Sequence, residues 1–172
     1  QDLNIIAGNT TRITVDDATG NVGVGGAFSG TDKLSVTGNI NTSTQYNIGG
    51  ARVLSVPGTA NAFVGVGAGT ANTSGNNNAF VGNNAGTANT TGFQNSSLGS
   101  GALQSNIGGS TNSAVGYQAL FSNNSGSSNS ALGAVALQNN TTGGNNSAVG
   151  ASALANNIGG SNNSAIGANA LQ

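Results

Sequence analysis

An asparagine recurs every 17 residues, without a slip, through two thirds of this 172-residue chain. It stands at Asn61, Asn78, Asn95, Asn112, Asn129, Asn146 and Asn163. Four residues after each comes a glycine: Gly65, Gly82, Gly99, Gly116, Gly133, Gly150 and Gly167. An aliphatic residue precedes each glycine, and an alanine follows three residues after it. A second asparagine and a second glycine close the unit, which reads N-[AS]-[AFS]-[VLI]-G-x-x-A-[LG]-x-x-N-x-x-G-x-x. Counting that first Asn as unit position one, six full units and ten residues of a seventh fill 61–172 with no insertion. A disordered linker has no reason to keep register across seven copies, whereas stacked coils must.

The unit length limits the shape. A helix pair needs about 34 residues, and Gly and Asn are poor helix formers. Two strands of about five residues joined by two turns fit a flattened coil. Such coils stack about 4.8 Å apart and pair in parallel. The expected fold is therefore all-β: a parallel β-solenoid (β-roll or β-helix) of 17-residue coils. About 6.6 coils give a rod of roughly 30 Å. Gly supplies positive φ at corners. Asn tolerates the left-handed region and can form ladders, each side chain bonding its copy one coil away.

The seven copies also expose one correlated change. Units with Phe63 or Phe80 at position three carry Gly69 or Gly86 at position nine. Units with Ala114, Ala131, Ala148 or Ala165 carry Leu120, Leu137, Leu154 or Leu171, and the unit between pairs Ser97 with Leu103. Close-packed interiors conserve volume, so positions three and nine are expected to fill one shared space, within a coil or across a chain interface.

Charge sharpens the division of the chain. The net charge is −1, from Asp2, Asp16, Asp17, Asp32, Arg12, Lys33 and Arg52, all within the first 52 residues. Residues 1–57 read as a β-rich adaptor or neck module. Its expected strands are Ile5-Ile6, Arg12 to Val15, Val22 to Val24, Lys33 to Val36 and Val53 to Val56. Pro57-Gly58 marks the boundary, and 58–172 form the solenoid.

The same composition excludes most chemistry. There is no His, Cys or Glu, which removes the usual metal ligands and nucleophile–base pairs. No catalytic, cofactor-binding or metal residue is expected, and the chain does not read as an enzyme. A β-helical polysaccharide lyase would need clustered acids or bases, and 60–172 has none. No basic patch meets nucleic acid, and no run of about 18 apolar residues inserts in a membrane. Asp16-Asp17 reads as a solvated turn, since Ca²⁺ wants six to eight oxygens. Gly20 to Gly26 is glycine-rich but lacks the lysine of a phosphate loop. Sequons such as Asn72-Thr73-Ser74 and Asn140-Thr141-Thr142 are expected by chance in an Asn/Ser/Thr-rich chain. Phe93, Tyr117 and Phe121 stand at unit positions that otherwise vary. They are candidate contacts for a receptor, glycan or protein, with packing between coils or chains as the plainer alternative.

Asn112-Ser113-Ala114-Val115-Gly116 and its copies at 146–150 and 163–167 resemble the N-S-x-A-I-G strand motif of trimeric autotransporter adhesin heads. The longer pattern N-[ST]-A-V-G-x-x-A-L-x-x-N-x-x-G-G also resembles repeats of phage tail-fibre-like and bacterial surface proteins. Lys33 to Ile40 and Tyr46 to Leu54 resemble a segment that often precedes such repeats. The resemblance implies a homotrimer on a virion or cell surface, extracellular, serving as a structural and adhesive fibre segment that presents surfaces to a receptor. Its partners would be its own copies and an unknown surface receptor, glycans included. The thin core points the same way, because lateral burial would complete what one chain leaves exposed. Two alternatives stand beside it: a monomeric solenoid binding carbohydrate or ice, and a subunit of an end-to-end polymerised extracellular filament.

Overall fold

The computed structural model describes residues 3–7, 10–15, 22–24, 34–36, 45–48, 51–55 and 59–172. The chain divides into two compact units, 1–43 and 44–172. The first holds a sheet of four strands in sequence order, β1 (Leu3–Ala7), β2 (Thr10–Val15), β3 (Val22–Val24) and β4 (Leu34–Val36). The first three pair antiparallel and β4 runs parallel to β3. The second unit begins with a hairpin of β5 (Gln45–Ile48) and β6 (Ala51–Ser55). β6 then pairs antiparallel with β7 (Ala62–Val64), the first solenoid strand. The hairpin therefore belongs to the solenoid sheet. Pro57-Gly58, the expected boundary, lies outside the described residues, as do Asp16-Asp17 and Gly20.

From β7 onward the fold is a parallel β-solenoid. Its strands are β7, β8 (Ala79–Val81), β9 (Ser96–Leu98), β10 (Ser113–Val115), β11 (Ser130–Leu132), β12 (Ser147–Val149) and β13 (Ser164–Ile166). Each pairs with its copy one unit on, as in Ser113 with Ser130, Ala114 with Ala131 and Val115 with Leu132. No helix occurs among the described residues. Each coil holds one strand of three residues, not the two longer strands expected. The rest of the coil is turns, and these too are bonded coil to coil. The Leu120 N–H donates to the Ala136 carbonyl at 3.0 Å, and the Ser122 N–H to that of Gln138 at 2.8 Å. Parallel pairing thus continues where the backbone is not extended.

The reason lies in the dihedrals. Position five takes φ between 120° and 146° in every coil. Only glycine fits there, because a Cβ on Gly116 would lie 2.5 Å from the Gly133 carbonyl oxygen of the next coil. Position nine is left-handed throughout: Gly69 and Gly86 at 56°, but also Leu103, Leu120, Leu137, Leu154 and Leu171 at 50–54°. A left-handed leucine costs roughly 1–2 kcal/mol. Burial of its side chain, worth about 1.5–3 kcal/mol, offsets this.

The core is a narrow column of Phe63, Phe80, Leu103, Leu120, Leu137 and Leu154 with the alanines of positions three and eight. Phe63 and Phe80 stack with centroids 5.1 Å apart. The exchange between positions three and nine is a steric one within a coil. A Cβ on Gly69 would lie 2.5 Å from the Phe63 ring, and one on Gly86 2.5 Å from the Phe80 ring. Ser97, at the junction of the two packing modes, buries a hydroxyl that has no hydrogen-bond partner. Ser97→Ala is expected to raise stability by about 1 kcal/mol. A urea melt would show this as a higher midpoint, and a lower one would count against the packing described.

Two ladders of asparagine line this column. At position one, Asn78 accepts at Oδ1 from the Asn95 N–H (2.9 Å) and donates from Nδ2 to the Gly92 carbonyl (2.8 Å). At position twelve, Asn123 donates to Asn106 Oδ1 (2.8 Å) and to the Gly126 carbonyl (2.8 Å), and accepts from Asn140 Nδ2 (2.8 Å). Asn89, Asn106, Asn123 and Asn140 are fully buried. Buried amides persist only when bonded, and here the identical residue in the next coil is always at hand. The recurring asparagines are therefore interior structural elements.

Candidate functional site

Strand alternation decides what the solenoid shows outside. In each three-residue strand the middle side chain points inward and its two neighbours outward. Position four therefore forms an external row: Val64, Val81, Leu98, Val115, Leu132, Val149 and Ile166, each between 36 % and 80 % exposed. Position two beside it is Ala62 and Ala79, then Ser96, Ser113, Ser130, Ser147 and Ser164. Position six, around the Gly corner, adds Val66 and Tyr117 among Asn, Ser and Ala. No charged residue occurs from 59 to 172. An unbroken, neutral aliphatic row along a whole face is a surface suited to burial against a partner.

The three candidate aromatics separate. Tyr117 is exposed at position six, beside the apolar row. Phe121, on the same coil at position ten, is half-buried. Phe93 is exposed at position sixteen, between the two Asn corners, with its backbone N–H donating to Ser110 Oγ at 3.1 Å. Phe121 has company that the repeat reading passed over. A Cβ placed on Gly101 would lie 3.2 Å from Gln118 Cγ, 3.4 Å from Gln104 Oε1 and 3.4 Å from Phe121 Cδ2. Gln138 in turn donates from Nε2 to Gln118 Oε1 at 2.9 Å. A signal was available in the sequence: a long side chain at position seven, where other coils carry Gly67 or Ser152, and at position ten, where others carry Thr70, Thr87 or Ala155.

Among the described residues there is no group of three or more metal-ligating side chains and no enclosed pocket. No helix there is long and apolar enough to cross a membrane. The Asn140 sequon is closed off in the fold, since its amide is fully buried and bonded to Asn123 Oδ1 and the Gly143 carbonyl. No protein-family model matches the chain, and neither does a curated protein or a solved structure.

Proposed function

We propose that the chain is a segment of a structural and adhesive fibre. In this reading it is an extended homotrimeric β-solenoid of a phage tail fibre or bacterial surface appendage, extracellular, with receptor-binding surfaces on its sides. The observation behind it is the outward row at position four, which places an exposed aliphatic in every coil of one uncharged face. Each coil also repeats the same lateral chemistry, so the pitch of one copy matches another along the full length. Two copies approaching through this face meet no like charges. The resemblance of the strand motif to adhesin heads supports three subunits over two.

Light scattering and native mass spectrometry test this directly. The expected mass is that of three chains. Leu132→Asp combined with Val115→Asp is expected to give a monomer with an unchanged far-ultraviolet spectrum, because both side chains face outward. A wild-type chain that stays monomeric at high concentration would defeat the fibre reading. One observation favours a second reading, a monomeric binding module for carbohydrate or ice. The core closes within a single chain, where Phe80, Leu120 and Leu137 are already fully buried.

A further inference from the structure

We propose that the corner of the solenoid around Gly101, formed by Gln104, Gln118, Phe121 and Gln138 with Tyr117 on the same coil, is a binding site for a neutral carbohydrate chain. It extends the attachment-fibre reading by naming a ligand class and the residues that take it.

These side chains are surplus to the fold. The coil closes equally well with threonine at 70 and 87 or alanine at 155 in the place of Phe121. Long side chains held on a surface lose rotamer entropy, so a cluster of them on consecutive coils wants a compensating role. Gly101 sits at φ 69° in the position that its neighbours fill with Asn84, Gln118 and Val135. Its missing side chain lets Gln118, Gln104 and Phe121 close over the buried Gly101, so that two amides and an aromatic ring meet at one spot. The bond from Gln138 Nε2 to Gln118 Oε1 fixes two amide planes against each other before any ligand arrives. That pre-organisation lowers the ordering cost of binding.

The chemistry selects the ligand class. A primary amide both donates and accepts, which matches vicinal hydroxyls. Aromatic faces pack on the C–H faces of sugar rings. With no charge between 59 and 172, the site offers nothing to a phosphate, a carboxylate or an ammonium group. With no enclosed pocket, it suits a chain lying along the rows better than a compact molecule sealed within. The position-ten row, Gln104, Phe121 and Gln138, runs up three successive coils and provides such a track.

The full chain would be titrated with maltohexaose, cellohexaose, mannohexaose and chitohexaose, following the side-chain amide signals of the glutamines by NMR. At least one sugar is expected to bind in the millimolar range and to move the Gln104, Gln118 and Gln138 signals. Tyr117→Ala, at an exposed position, and Gln118→Ala, at a half-buried one, are expected to weaken that binding by roughly tenfold. Phe93→Ala, on another side of the coil, is expected to leave it unchanged. No response to any of the four, or equal affinity in the Tyr117 and Gln118 variants, would overturn the site. Mass measured on the same samples separates the two readings. A trimer without sugar binding removes this site and keeps the fibre, whereas a sugar-binding monomer does the reverse.

Discussion

Gly86→Leu alone is expected to destabilise the solenoid by about 3 kcal/mol, and Phe80→Ala alone by a similar amount. Made together, they are expected to cost less than either. The leucine meets the Phe80 ring, because even its Cβ would lie 2.5 Å from that ring. The alanine leaves a void where the ring was. The double variant reproduces the pair that Ala114 and Leu120 already form, with leucine at the same left-handed φ. What it does not recover is the stack of Phe63 on Phe80, worth about 0.5–1.5 kcal/mol. Urea unfolding of the four chains in a double-mutant cycle gives the coupling. Losses that simply add would mean that the two positions do not share a space.

The second large effect is expected at Asn123. Its amide joins Asn106, Gly126 and Asn140, with every contact at 2.8 Å and no exposure to solvent. Asn123→Ala removes all three bonds and strands Asn106 Oδ1 and one N–H of the Asn140 amide in a dry interior, while the Gly126 carbonyl keeps its bond from Asn112 Nδ2 at 2.9 Å. The expected cost is about 3–5 kcal/mol. Asn156→Ala removes an exposed amide that accepts from Asn139, and is expected to cost no more than about 0.5 kcal/mol. Coils contact only their neighbours, so the loss of hydrogen-exchange protection should centre on the coils holding Asn106, Asn123 and Asn140. An even loss along the whole rod would contradict that local picture.

Several of these features can be read without coordinates, for one physical reason. In a register-locked stack every row sees its own copies, so a row's composition reports its surroundings. That is why the Asn rows predict ladders and why the Phe–Gly to Ala–Leu exchange predicts a shared cavity. It is also why charge is missing, since a charged row would set like charges about 4.8 Å apart. The path of the chain inside one coil is less legible. Leu120 and Leu137 look like residues of a strand, yet both sit at positive φ. Val135 and Thr111, β-branched, do the same. Inter-coil bonding and burial override local preference there, and no residue type announces it. The aromatic candidates show the same limit. Tyr117 and Phe121 fall on one coil and Phe93 elsewhere, because a unit position tells a row but not which rows adjoin around a corner.

The asparagine ladders have an electrical consequence. Backbone bonds between coils run in both senses: the Ser113, Leu120 and Ser122 N–H groups donate forward to Asn129, Ala136 and Gln138, and the Gly116 and Gln118 N–H groups backward to Leu98 and Ser100. The ladder bonds between coils do not. Asn106 donates to Asn89, Asn123 to Asn106, Asn140 to Asn123 and Asn157 to Asn140, always toward the N-terminal side. The position-one row repeats that sense from Asn78 to Asn163. Aligned amide dipoles polarise one another, strengthening each bond by about 10–30%. A stretch of coils without a single charged side chain thus still carries two rows of side-chain dipoles aligned in one sense, set against backbone bonds that run both ways.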